Sequence, residues 1–507
     1  MPDTVTFIGN SAFMNCEEIN IKMLKCLKSF ERRSFYYCKD IKEAELPSHI
    51  KSIEGDAFLQ CWAIKNLKLP DSLVLIQGQA FYNCKGLEKI QFNSSLEQIG
   101  INAFAFCYKL QAVNFLSSFK LIGQSAFKNC SELKEIIFSL NVDSIESNAF
   151  DECESLETVK FLSSIKSIGV NAFNGCFKLK EIHFSETLES IDSIDTNAFN
   201  NCTSLQAITF MPSIKIIKKN AFSNCTALKE IRFSSHVETI EPDAFKNCSS
   251  LQNVIFSSSV KSIACHAFNG CSRLKEITFS SNVESIESNA FDGCTSLETV
   301  KFLSSIKSIG VNAFNGCSIL NELHFSSIPE SIEKKILAGC SQPKVIFLQS
   351  VKNVGNNVFN GYPDFTEIHF LGDLDYIGNF SFNNCDSLHT IKFIGSVKYI
   401  GNQALGYCSK LKEVSFSSIE SIKSAAFYSC SSLTKIVFPA SLKCIETIAF
   451  YDCSNLKEIR FENPLNIEHI GDSAFWNTSI NQTKIPAVIR TKIVQKSFPH
   501  VATIIYT

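Results

Sequence analysis

Cysteine and histidine are the residues of this chain best placed to do chemistry, so their spacing is the first question. The chain has 507 residues with 22 Cys and 9 His. Nineteen of the cysteines fall three residues after an aromatic or aliphatic position that returns about every 23 residues, as in NAFDEC at 148–153 and NAFNGC at 171–176. Zinc needs four convergent ligands, usually from CxxC pairs, and this column supplies one thiol per repeat. Stacked at the strand spacing of about 4.8 Å, neighbouring thiols stand farther apart than the roughly 3.8 Å between Cβ atoms that a disulfide prefers. The column therefore reads as buried, reduced thiols acting as small hydrophobes. Cys26, Cys265 and Cys444 lie off it, and Cys444, at an outward serine position, is the expected reactive thiol.

The histidines offer no better catalyst. His183, His324 and His369 share one outward column, but His324 and His369 are two repeats apart, roughly 10 Å at strand spacing. His183 and His324 are equivalent residues of a duplicated block, 143–185 and 284–326, identical at 36 of 43 positions. No HExxH, GxSxG or phosphate-loop pattern occurs. The chain reads as a non-enzyme with no cofactor and no metal site. Asn129, Asn201, Asn224 and Asn247 match the glycosylation sequon only because the ladder cysteine precedes Ser or Thr.

The frame that positions all of these residues is the repeat itself. With the AF-phenylalanine as n, the units begin at Phe13 and run through Phe498, 22 in all. Cys stands at n+3, Leu at n+6, Ile or Val at n+9 and Phe at n+11, with aliphatics at n−8 and n−5, as in Leu156, Val159, Phe161, Ile165 and Ile168. Two short stretches with inward residues at strand spacing, separated by turn residues, predict one solenoid coil per unit with no room for a helix. A unit this small cannot bury a core alone and must stack on its neighbours. The 26-residue step before Phe199 predicts a three-residue insertion within residues 190–196. The expected domains are a continuous solenoid over 1–475 and a divergent terminal coil or cap over 476–507. The open first coil, residues 5–8, presents a strand edge for self-association.

The pattern C-x-x-L-x-x-I-x-F…V-x-S-I-x-x-x-A-F-x-x-C resembles the BspA-like leucine-rich repeat, over roughly residues 5–475. It departs at Tyr362 and Thr478, where the ladder cysteine is missing. The resemblance implies a leucine-rich repeat solenoid of the α/β horseshoe superfamily, mostly β, with a parallel sheet on one face. It also implies a surface-associated protein or adhesin engaging host or extracellular-matrix proteins.

Charge narrows the alternatives. Lys+Arg 48 against Asp+Glu 50 gives no bias towards nucleic acid or anionic membrane. No apolar run is long enough for a membrane span, and the N-terminal residues carry no secretory-signal pattern. That, with the reduced-thiol ladder, supports an intracellular interaction scaffold as the alternative reading. At n−7 the sign alternates over 17 units, from Glu97, Lys120, Asp143, Lys166 and Glu189 (beside the insertion, where Asp192 is also acidic) to Glu468, so stacked coils meet opposite charges. At n+10 the run from Lys160 to Lys392 contains no acid. Lys160, His183, Arg232, Lys301, His324, His369 and Lys392, interspersed with Ile and Thr and flanked by glutamates at n+8, form the candidate partner-binding strip.

Overall fold

The computed structural model describes residues 4–17, 19, 26–115, 119–184, 191–210, 213–233, 235–256, 259–341, 343–480, 482–485, 493, 496–498 and 503–506. They fall into two compact units, residues Met1–Leu274 and Lys275–Thr507. Each is a succession of short strands and turns, with no α-helix among the described residues. About 19 turns form, against the 22 repeats counted in the sequence. The coils at both ends contain residues outside the described set.

Each coil has three sides, and all three bond to the next coil. The n+8 to n+11 stretch makes a parallel ladder in register, as Thr158–Phe161 does against Glu135–Phe138 and Glu181–Phe184. The n−8 to n−5 stretch makes a second one, Val142–Ile145 against Ile165–Ile168. The third side is turn, yet its backbone also crosses between coils: Phe58 N–H donates to the Ala80 carbonyl and Phe81 N–H to that of Ala103, both at 2.8 Å. This geometry needs a left-handed residue at n−2 and n+2, where Asn148 has φ 60° and Asn224 φ 61°. Asparagine tolerates that region better than other non-glycine residues.

The interior is filled by the two phenylalanine columns. In the first unit Phe104, Phe127, Phe150 and Phe173 stack at 5.2 Å between successive rings, within 9° of parallel. In the second unit Phe427, Phe450, Phe475 and Phe498 continue the pattern at 4.9–5.2 Å. Phe498 thus continues the phenylalanine column, and Gln482–Ile485 pairs in parallel with Thr503–Tyr506.

Two sequence expectations need correction here. Ile191 and Ile194 are buried at n−8 and n−5, and Ser193–Ile194 pairs with Ile216–Ile217. The extra residues of the long step therefore precede Ile191, upstream of the expected segment 190–196. Glu189 lies outside the described residues, and Asp192 occupies the charge column, 3.9 Å from Lys215. Elsewhere the column pairs as its alternation demands: Lys120–Glu97 at 2.5 Å, Lys166–Asp143 at 2.5 Å, Lys261–Glu238 at 2.7 Å and Lys398–Asp375 at 2.6 Å. In each case lysine meets the acid of the preceding coil. These pairs are exposed, so their main effect is to penalise a slipped register in which like charges would stack.

All 22 cysteines are free. The ladder thiols do more than fill space. Cys61 Sγ donates to the Phe35 carbonyl at 3.1 Å, Cys153 to Phe127 at 3.3 Å, and Cys385 to Phe359 at 3.2 Å, one coil back each time. Burial pushes the thiols up, Cys38 to about 11 and Cys107 to about 12, so each stays a neutral donor at physiological pH. Where the cysteine is missing, the hydroxyl in its place bonds to a different carbonyl. Tyr362 donates to the Ile332 carbonyl, and Thr478 Oγ1 donates to that of Phe475 at 2.8 Å.

Candidate interaction surface

The strand face is positioned by its inward residues. Val159 and Ile182 at n+9 are buried, which turns n+8 and n+10 outward on either side of them. In the first unit Lys160 stands beside His183, and Thr209 beside Arg232. In the second unit one continuous row runs Thr278, Lys301, His324, Ile346, His369, Lys392 and Ser415. The strip residues thus line one column within each unit, as their spacing predicts.

The charge of that column differs from its composition. Every cationic or imidazole member reaches an n+8 glutamate. Lys160 meets Glu135 at 2.8 Å and Lys301 meets Glu276 at 2.6 Å, both one coil back. His183 meets Glu181 at 2.9 Å, Arg232 meets Glu230 at 2.5 Å, His324 meets Glu322 at 2.8 Å and His369 meets Glu367 at 2.5 Å, all within one coil. Lys392 reaches forward to Glu413 at 3.7 Å. The surface is therefore an alternating array of donors and acceptors, in which the lysines and the arginine are paired with carboxylates. The Lys301 ammonium, followed by the Thr278 hydroxyl, holds the Glu276 carboxyl below its ordinary range against the opposing effect of burial.

Depth varies along the column. The side chains of Arg232 and His183 are 71% and 53% exposed, whereas those of His324 and His369 are 17% and 11%. Burial lowers the His369 imidazole pKa below its ordinary value, only partly offset by Glu367. Ile346, expected to be an exposed apolar element of the strip, is buried between the two histidine rows. Ile255 is open to solvent.

One part of this face escaped sequence reasoning. Over the first coils the same two columns line a concavity of about 650 Å³, with Glu45, Lys68, Gln91 and Asn114 from n+10 and Asn66 and Lys89 from n+8. Lys68 pairs with Glu45 at 3.1 Å, and the amides are left to face the groove. Its signal in sequence is the amide content of n+10 ahead of Lys160.

The remaining chemical candidates resolve structurally. Cys444 is partly buried, and burial, then Glu446, pushes its thiol up, so it is not the exposed reactive thiol expected; Cys26 is the exposed one. The sequon asparagines all sit at left-handed φ, and three donate their amides along the stack: Asn129 to Glu152 at 2.7 Å, Asn224 to Asn201 at 2.9 Å and Asn247 to Asn224 at 2.9 Å. Among the described residues no group of three or more His, Cys, Asp or Glu could hold a metal ion, and no helix is long and apolar enough to cross a membrane.

A coil of this length, with its Cys–Leu–Ile–Phe columns and two parallel ladders, has a direct counterpart. The BspA type leucine rich repeat region matches over residues 1–88, 74–194, 192–321, 284–412 and 376–504. The chain belongs to the BspA-type leucine-rich repeat family. Among solved structures, this BspA-type chain is similar to a leucine-rich repeat protein from Bacteroides ovatus at 26% identity, over 72% of this chain and 88% of that one, with a TM-score of 0.39. It is also similar to a leucine rich cell surface protein from Faecalibacterium prausnitzii at 20% identity, over 65% and 83%, with a TM-score of 0.26. A leucine rich repeat protein of T. pallidum matches at 22% identity over 41% and 82%, with a TM-score of 0.27. No curated protein matches. A BspA-type repeat array is a protein-binding scaffold in its general character.

Proposed function

We propose that this BspA-type protein is a non-enzymatic, surface-associated binding protein that engages host or extracellular-matrix proteins through its strand face. The observation that supports this reading is the division of labour between columns. Inward positions repeat with little change, while the outward n+10 column varies from coil to coil and has its long side chains tethered by n+8 glutamates. Tethering removes part of the side-chain entropy that binding would otherwise have to pay. An alternating array of fixed donors and acceptors selects a partner of complementary pattern.

Changing Lys160, Arg232, Lys301 and Lys392 together to Glu places acids beside the n+8 glutamates. In solid-phase assays against purified matrix proteins, this variant should lose at least about tenfold in affinity, roughly 1.4 kcal/mol, with its circular dichroism unchanged. Undiminished binding would remove the strip from the account. The free thiols favour a second reading, an intracellular scaffold, because reduced cysteines persist best in a reducing compartment. Surface biotinylation of intact cells separates the two: labelling supports the surface reading, and complete protection supports the scaffold.

A further inference from the structure

The turn side of the first unit departs from its own repeat in one place. Position n+2 requires a left-handed backbone, and most coils supply Asn or Gly there, such as Asn129, Gly175, Asn201 and Asn224. Two early coils put an aromatic ring in it instead, Tyr37 with φ 63° and Phe106 with φ 64°. Bulky residues are disfavoured in that region, so the rings are present against the local backbone preference. The flanking columns change in these coils and in the two between them. Tyr36 and Tyr82 occupy n+1. Lys39, Trp62, Lys85 and Tyr108 occupy n+4, a column held mainly by Ser and Thr farther along.

These residues form two clusters on four successive coils, Tyr37 with Trp62 and its lysines, and Tyr82 with Phe106 and Tyr108. Tyr37 meets Trp62 edge-on at 5.4 Å, and Phe106 meets Tyr82 at 5.3 Å and Tyr108 at 6.0 Å. The Lys39 and Lys85 ammonium groups, one from the coil on each side, lie 5.0 Å from the Trp62 ring centre, and Lys39 is also 4.5 Å from that of Tyr37. Cation–π contact fixes both charges in place. Exposed Lys39, Lys42, Lys65, Lys85 and Lys109 outnumber the acids of the same arc, Asp40 and Glu88, in a chain whose overall charge is −2. The Trp62 indole N–H finds no acceptor among the described residues.

We propose that this aromatic–lysine patch is a second interaction surface, separate from the strand face, and that it takes an acidic protein segment. Carboxylates of the partner pair with Lys39 and Lys85, and its chain lies across the half-buried rings of Tyr37, Trp62 and Phe106. Trp and Tyr are among the residues that dominate protein interfaces, and the lysines beside them supply charge complementary to an acidic partner. A lipid surface fits less well, because Leu59 and Ala105, the other n+1 residues here, are buried.

Binding of fluorescein-labelled poly-L-glutamate to the full chain, followed by anisotropy at low salt, tests the proposal. Lys39→Glu with Lys85→Glu should weaken it at least about tenfold, while the strip variant should keep its affinity. Tyr37→Asn with Phe106→Asn, which installs the repeat's own residue, should weaken binding with Tm unchanged or raised. A fall in Tm for the asparagine pair, or unchanged affinity in either patch variant, would mean that the rings are packing elements and overturn the assignment. Binding to phosphatidylserine vesicles without binding to polyglutamate would overturn it in favour of a membrane surface.

Discussion

Phe150→Ala is expected to lower the unfolding free energy by about 3–5 kcal/mol, the range for truncating a fully buried phenylalanine. Phe150 is inaccessible to solvent and touches rings on both neighbouring coils, Phe127 and Phe173 at 5.2 Å, and rings of the second column, Phe138 at 6.3 Å and Phe115 at 6.4 Å. In a globular core a cavity can collapse partly. Here the coil spacing is set by backbone hydrogen bonds on three sides, so the walls have little freedom to close in. The loss is also local, since each coil is stabilised chiefly through its neighbours. Urea unfolding followed by circular dichroism should show a lower midpoint and a broadened or split transition, because the array uncouples at the damaged coil. A loss below about 1 kcal/mol would mean that the columns are loosely packed.

The second large effect concerns the thiol as a donor. The Phe127 carbonyl accepts the Cys130 N–H at 3.3 Å and, on its other lone pair, the Cys153 thiol at 3.3 Å. Cys153→Ala removes that second bond and a buried sulfur, and should cost about 1–2 kcal/mol from the hydrogen bond and the lost apolar burial together. Cys153→Ser keeps a donor in the same place and should cost less than alanine. Thr478 carries a hydroxyl at the equivalent position, although it donates to the Phe475 carbonyl of its own coil. If serine proves no better than alanine, the thiol contributes by volume alone.

The sequence made the coil legible because every inward position repeats. Period, strand-like spacing and the phenylalanine columns each pointed to the same stack, and the n−7 alternation foretold pairs such as Lys166–Asp143. What stayed hidden depends on direction within a coil. Spacing alone could not show that the cysteine faces a carbonyl one coil back, which is why it read as a small hydrophobe. Nor could it show that the long step before Phe199 is taken up ahead of Ile191, because only the burial of Ile191 and Ile194 fixes the phase.

The strip was legible as a column but its electrostatics were not. Lys160 and Lys301 reach back one coil, Lys392 reaches forward, and the histidines pair within their own coil. Side-chain length decides among these options, and a list of residue types hides the choice. The depth of His324, Ile346 and His369 was equally invisible, as was the burial of Cys444. The aromatic patch was present in the sequence as Tyr36, Tyr37 and Trp62, but its significance rests on the left-handed φ of Tyr37 and Phe106.

The cysteine ladder is a buried, hydrogen-bonded element of the framework and not a reactive or crosslinking site. Pulse alkylation of the native protein, read peptide by peptide in a mass spectrometer, tests it directly. Rapid labelling of Cys26 is expected, with slower labelling of the partly exposed Cys16, Cys265, Cys340 and Cys444, and protection of interior thiols such as Cys107, Cys153, Cys225 and Cys430 until the coils unfold. Rapid labelling of those interior thiols under native conditions, or their recovery as disulfides, would contradict it.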